Sequence, residues 1–208
     1  MGFQASERVV ALNAQLEAFM QEHIYPREHE WEAFTLDQNN RWQVPDWFDV
    51  LREKAKAEGL WNLFLPEEYG DWGPGLKNVE IARIFETMSK VNWAQPVFNC
   101  NAPDRGNMEV LAKYGTAEQQ EQWLKPLLAG DIRSAYAMTE PQVASSDATN
   151  MELAITRDGD EYVLNGRKWW TTGAINPRCK LMLVMGKSNP ENDRHRQHST
   201  ILVPRDTP

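Results

Sequence analysis

The feature that most constrains this chain is a change of hydrophobic period near Gly130. Before that point apolar residues recur at helical spacing between polar breaks; after it they fall in short runs bounded by turn dipeptides. Val9, Leu12, Leu16 and Phe19 line one face of a first helix. Pro45 sits where another begins, and Asp46–Glu58 follows with Val50, Leu51 and Ala55 turned inward and Gly59 as its stop. Pro66, Gly70, Gly73, Pro74 and Gly75 mark a loop. Lys77–Met88 resumes the helical period through Val79, Ala82, Phe85 and Met88. Asn107–Tyr114 is a helix ended by Gly115. Thr116 with Gln119 makes a capping box for the next, which ends near Gly130.

Beyond Gly130 the punctuation is that of strands. Ile132–Thr139 reads as the first. Asp158-Gly159 and Asn165-Gly166, strong hairpin signals, bracket Glu161–Leu164 and introduce Arg167–Thr172, which is rich in β-favouring residues. Lys180–Met185 and Ser199–Val203 are further strands, separated by the polar loop Ser188–His198. The expected fold is α+β and multidomain: an N-terminal all-α helical domain over 1–131, then an antiparallel β-barrel-like domain over 132–208. The β segment reaches Pro208 straight after a strand, with few strands to close a barrel, so it reads as incomplete and the chain as cut.

Net charge is -8 and no basic stripe is present, which argues against a nucleic-acid partner. Cys100 and Cys179 make neither a disulfide framework nor a CxxC motif, and fit a reducing compartment such as the cytoplasm. No apolar run reaches the roughly 18 residues of a membrane span. Met1-Gly2-Phe3-Gln4-Ala5-Ser6 fits the loose N-myristoylation pattern, which short segments often meet by chance.

Several sharper motifs fail. Gly70, Gly73 and Gly75 give GxxGxG, neither a dinucleotide fingerprint nor a P-loop, with no strand before it. His195 and His198 are spaced for a metal, but they sit in a charged polar loop with no third ligand, so no metal is expected. His29-Glu30 lacks the second histidine of a zinc helix, and no GxSxG elbow exists.

Two segments remain. Tyr136-Ala137-Met138-Thr139-Glu140-Pro141 runs into Gln142-Val143-Ala144-Ser145-Ser146-Asp147, a strand ending in a turn of small hydroxylated residues that can aim N–H groups and hydroxyls at an anion. Asn165-Gly166-Arg167-Lys168-Trp169-Trp170-Thr171-Thr172 places flat aromatics beside hydroxyls. Strand alternation would send Trp170 and Thr172 to one face and Trp169 and Thr171 to the other, a bed for a heteroaromatic ring. Taken singly, each is more common as an Asp- and Ser-rich turn or an ordinary Trp–Thr strand.

Together, in this order and spacing, they resemble the acyl-CoA dehydrogenase family. Its middle domain carries an aromatic-A-[Met/Leu]-T-E-P strand followed by small residues and S-D, then N-G-x-K-x-W about thirty residues later. Ala102-Pro103-Asp104-Arg105-Gly106-Asn107-Met108-Glu109 is similar to the branch containing family members ten and eleven. The resemblance implies non-covalent FAD, with Tyr136, Met138 and Thr139 at the flavin ring, Trp170, Thr171 and Thr172 flanking it and the Thr172 hydroxyl near N5. It also implies an acyl-CoA substrate, with Ser146 near the pyrophosphate and the thioester. This chain has one residue more than the family between T-E-P and S-D, and Ser145 where the family has Gly, so either Ser145 or Ser146 could face phosphate. The family's catalytic base lies in a following helical domain, expected beyond Pro208, so none is named here. Glu140 belongs to the motif and is not nominated. The same resemblance implies electron-transfer flavoprotein as acceptor, a homo-oligomer built by that later domain, and residence in the cytoplasm, or in the mitochondrial matrix or peroxisome of a eukaryotic cell. The competing readings are a flavin oxidase or monooxygenase on the same scaffold, and a non-catalytic remnant or interaction module.

Overall fold

The computed structural model describes residues 4–208; Met1, Gly2 and Phe3, on which the myristoylation pattern depends, lie outside the described residues. The chain divides into two compact units, Met1–Leu128 and Ala129–Pro208.

The first unit is helical. Helix α1 (Glu7–Phe19) opens at Ser6, whose hydroxyl accepts the Val9 N–H, and buries Val9, Leu16 and Phe19. It packs on α4 (Asn78–Met88), where the Thr87 hydroxyl donates to Asn13 Oδ1 at 2.8 Å. Helix α1 runs into a π turn over Met20–Ile24, then a 3-10 turn over Tyr25–Arg27 and α2 (Glu28–Leu36). The cause is Pro26: it has no N–H to return four residues back and its ring presses on that turn, so the helix widens just before it. The same device recurs where α6 (Ala117–Gln119) widens over Gln120–Leu124 ahead of Pro126 in α7 (Lys125–Ala129). The Thr116–Gln119 capping box is formed in both directions.

Helix α3 (Trp47–Ala57) buries Phe48, Leu51, Arg52 and Ala55, while Val50, expected inside, is exposed. At about 100° per residue Val50 lies on the far side from Phe48. In α4 the expected stripe is likewise rotated. Ile81, Ile84, Thr87 and Met88 are buried, Val79 and Ala82 are exposed, and the two isoleucines offer the more apolar face. The Pro66–Gly75 loop contains a 3-10 turn over Glu67–Trp72. Helix α5 spans Asp104–Tyr114, so it starts three residues before Asn107. Trp31, Trp47, Phe48 and Trp93 form an aromatic cluster in which Trp31 stacks on Trp93 at 5.1 Å and Trp47 meets Trp93 edge-on at 5.4 Å. At the end of α7, Asn62 and Asn99, both with positive φ, donate to the Leu128 and Leu127 carbonyls at 2.9 Å. They cap a helix terminus that would otherwise leave carbonyls orphaned.

The second unit is a curled five-stranded sheet: β1 (Arg133–Ala137), β2 (Ala154–Asp158), β3 (Glu161–Asn165), β4 (Cys179–Lys187) and β5 (His198–Pro204). The β2–β3 hairpin forms where the Asp158-Gly159 signal places it, with Asp158 paired to Glu161 and a two-residue loop of Gly159-Asp160 in which Gly159 takes the positive φ, and β4–β5 is antiparallel. The β half is nevertheless mixed, because β1 runs parallel to β4 over Arg133–Ala137. Strand β4 has two edges. Strand β5 occupies one, and β1 and then the start of β2, through Ala154 opposite Lys187, share the other. The core lies between Ala137, Leu153, Ile155 and Val184, with Leu164, Met182, Ile201 and Val203 packed against it.

The expected second hairpin is absent. Asn165-Gly166 ends β3, but Arg167–Thr172 does not form a strand. Gly166 is pressed onto Leu153, so closely that a Cβ would sit 2.7 Å from the Leu153 Cα. The residues after it are drawn to the end of β1 instead of pairing back with β3.

Candidate functional site

That diversion joins the two segments. The Lys168 ammonium donates to the Met138 carbonyl at 2.7 Å and to Glu140 Oε1 at 2.8 Å, and the Trp169 N–H donates to the Thr139 carbonyl at 3.0 Å. Glu140 is enclosed as well. Its carboxylate accepts the N–H groups of Glu152 at 2.7 Å and Leu153 at 2.9 Å, and its own N–H donates to Ser145 Oγ at 2.8 Å. Burial alone would push the Glu140 carboxyl up, but Lys168 and the two N–H donors outweigh it and hold the group below its ordinary value. The Glu140 and Lys168 side chains are 5% and 9% exposed, so this is a buried ion pair with its carboxylate well satisfied. Leu153 is the hub behind it. Its N–H goes to Glu140, its carbonyl accepts the Lys187 N–H at 2.7 Å, and its side chain lies between Gly166 and Gly186.

Around this seam the expected site residues separate into two groups. Tyr136, Met138 and Thr139 are half-buried at and beyond the end of β1, with the Tyr136 hydroxyl donating to Met185 Sδ at 3.7 Å. Ser145 is buried, and its hydroxyl accepts from Glu140 and donates to the Val143 carbonyl at 3.4 Å. Ser146 next to it is exposed. Asp147 accepts the Thr149 hydroxyl and N–H, which together with Arg194 hold its carboxyl below the usual range. The Arg194 guanidinium reaches both Asp147 Oδ2 and Thr149 Oγ1 at 2.8 Å.

Trp169 and Trp170 are 43% and 79% exposed, with centroids 5.5 Å apart. Trp170 has φ 53, a left-handed conformation that costs a non-glycine residue about 1–2 kcal/mol. Thr171 is half-buried and Thr172 exposed. Since this stretch is not a strand, the alternation that put Trp170 and Thr172 on one face does not apply. What the structure brings together is the Met138–Glu140 backbone, Lys168 and Trp169; the role of Lys168 and Glu140 as a clamp was missed. The signal available was a single glutamate in the otherwise uncharged run Ser134–Ser146, and a lysine leading, after Arg167, into the uncharged run Trp169–Pro177.

A flavin suits this donor set. Two large rings lie open to solvent next to main chain, one of them in a strained conformation, and a flat heteroaromatic group could cover them. Among the described residues, no three His, Cys, Asp or Glu side chains converge as a metal site, and no helix is long and apolar enough to cross a membrane.

Residues 6–131 match the N-terminal domain and residues 135–208 the middle domain of acyl-CoA dehydrogenases. Acyl-CoA dehydrogenase family member 10 of Mus musculus is 51% identical over 206 residues, covering 98% of this chain and 19% of that protein. Family member 11 of Mus musculus is 50% identical over 210 aligned positions, covering 99% and 26%. A solved Mycobacterium abscessus structure, a candidate acyl-CoA dehydrogenase, superposes with a TM-score of 0.92 at 48% identity, over 99% of this chain and 52% of that one. A Mycobacterium smegmatis glutaryl-CoA dehydrogenase solved with FADH2 shares the fold, with a TM-score of 0.68 at 21% identity, over 98% and 47%. The chain thus spans about half of the solved structures' length, and about a fifth to a quarter of the two mouse relatives'.

Proposed function

Because the chain belongs to the acyl-CoA dehydrogenase family, matching its N-terminal and middle domains, we propose that it forms the FAD-holding portion of an enzyme that removes hydrogens from the α and β carbons of an acyl-CoA thioester. The observation that carries this reading is the seam between Met138–Glu140 and Lys168–Trp169, which leaves Trp169 and Trp170 open beside it. FAD supplies a two-electron acceptor for the hydride leaving the β carbon. Tyr136, Met138 and Thr139 offer the ring edge and backbone groups, and Trp170, Thr171 and Thr172 flank the ring. Ser146 is the serine offered to phosphate and to the thioester end of acyl-CoA, since the Ser145 hydroxyl is engaged with Glu140 and Val143.

In this reading the helical domain covers 1–131 and the β domain 132–208. No residue of this chain takes the α proton. Glu140 is unsuited to it, being buried, already hydrogen-bonded and held ionised by Lys168. The 208-residue chain alone therefore shows no acyl-CoA-dependent reduction of an electron acceptor. Electron-transfer flavoprotein is the proposed acceptor, a homo-oligomer the proposed assembly and a reducing compartment the proposed location.

The test is the visible spectrum of the purified chain after incubation with excess FAD and removal of unbound ligand. Retained, protein-shifted flavin bands are expected. Complete loss of flavin would remove the reading that this portion holds the cofactor by itself.

A further inference from the structure

The Lys168–Glu140 pair is placed to do more than join two segments. Two consecutive peptide groups lie at the centre of the seam. In the Thr139–Glu140 peptide both ends are satisfied: the carbonyl accepts the Trp169 N–H and the Glu140 N–H donates to Ser145 Oγ. In the Met138–Thr139 peptide the carbonyl accepts the Lys168 ammonium at 2.7 Å, while the Thr139 N–H makes no hydrogen bond to the chain among the described residues. The two peptides thus differ in one respect, an amide donor left for something outside the chain, with a cation on the opposite end of its own peptide.

Hydrogen bonds in series polarise one another, by about 10–30% per bond, and a charged donor makes a bond roughly twice as strong as a neutral one. An ammonium on the Met138 oxygen draws electron density along the peptide and makes the Thr139 N–H a stronger donor. Glu140 fixes the ammonium there and neutralises its charge, so a ligand meets a sharpened dipole more than a bare cation. Glu140 cannot drift, because Glu152 and Leu153 hold both of its oxygens.

We propose that Lys168, fixed by Glu140, is a positioning residue that sets the donor strength of the Thr139 N–H toward the flavin and so raises the flavin's reduction potential. This rests on the reading that the seam holds flavin. A reduced flavin carries more electron density than an oxidised one, so a stronger donor favours the reduced form. The residue touches no reacting atom; it acts through the peptide.

The test uses the chain loaded with FAD and compares it with Lys168→Met and with Lys168→Met combined with Glu140→Gln. The double variant leaves no buried charge unpaired, so it keeps the experiment interpretable if the single variant fails to fold. In the double variant, reduced flavin is expected to loosen about tenfold relative to oxidised flavin, a fall of about 30 mV for a two-electron couple. In the same variant without FAD, the Thr139 amide proton and nitrogen resonances are expected to move, while those of Ala117–Ala129 stay in place. An unchanged potential in a variant that folds and binds FAD overturns the proposal. An unmoved Thr139 amide overturns it too, even if the native chain retains no flavin, a result that would sink the flavin reading separately.

Discussion

Trp31, Trp47 and Trp93 pack on one another and on Phe48 in the helical unit, where Trp93 is 4% exposed. Trp169 and Trp170 in the β unit lie on the surface, and the backbone of Trp170 is strained as well. Polar groups divide in the same way. The helical unit caps the starts of α1 and α6 with near neighbours, at Ser6 and Thr116, and the end of α7 with the neutral amides of Asn62 and Asn99, whereas the β unit centres on a buried ion pair. The difference teaches what each unit is for. Buried aromatics contribute stability where they stand. Exposed aromatics on costly backbone contribute none, and make sense when another molecule covers them.

The largest expected effects test that contrast directly. Trp93→Ala should cost about 3–5 kcal/mol in denaturant unfolding, as removal of a packed indole does. Trp170→Gly should instead stabilise by about 1 kcal/mol through relief of the left-handed backbone, while weakening FAD retention. A loss at Trp170 as large as that at Trp93 would break the comparison. Glu140→Gln strands a buried ammonium and should cost about 3–5 kcal/mol. Glu17→Gln, at the more exposed pair with Lys90 in the helical unit, should leave the midpoint near native because solvent screens it.

Glycines give a smaller, opposite-signed pair. A Cβ at Gly186 would lie 2.6 Å from Leu153 Cδ2 and 2.8 Å from its carbonyl oxygen, whereas one at Gly106 in α5 would meet nothing within 4 Å. Gly186→Ala should therefore destabilise by about 1–3 kcal/mol, and Gly106→Ala should stabilise by about 0.5–1 kcal/mol. Thermal melts of the two variants decide it.

The finest test is pH. Glu140 is held below its ordinary value, so its contribution is complete above the unfolded carboxylate pKa of about 4.3 and is lost as pH falls through the lower folded value. Glu109, in the helical unit, is pushed up by burial, against the opposing pull of Arg105. The folded state then holds the proton more tightly, and stability at that site falls as pH rises from the unfolded value through the raised one. Hydrogen exchange between pH 5 and pH 3 should show the β unit loosening while the surroundings of Glu109 tighten. Loosening of both to the same degree would deny the two carboxylates their separate roles.

Much of this was legible where the cause was local. The capping box at Thr116, the stop at Gly59 and the hairpin turn at Gly159 need only neighbouring residues, and all three are formed. Asn165-Gly166 carries an equally good turn signal, yet the packing of Gly166 on Leu153 and the pull of Lys168 toward Glu140 override it. Val50 and Val79 were misplaced because either of two helical stripes fits the composition, and only the partner surface chooses. The pairing of Lys168 with Glu140 and the parallel run of β1 beside β4 were beyond local reading, since nothing near either residue points to the other. The two motifs could be matched to a family, but not to each other.

That parallel run has a further consequence for how the molecule is made. Strand β1 ends at Ala137 and its neighbour β4 begins at Cys179, so every residue of the proposed cofactor bed beyond Tyr136 lies at the last rung of that ladder or in the crossover between the two strands. The β2–β3 hairpin inside the crossover can form from local contacts, but the β1–β4 ladder requires closing the whole excursion, with its larger loss of chain entropy and its high contact order. In kinetic terms the hairpin is expected to form before the ladder, an order that φ-values at Ile155 and Leu183 would check. Agents that trap the unclosed chain would therefore yield a protein with a formed hairpin and no bed at all.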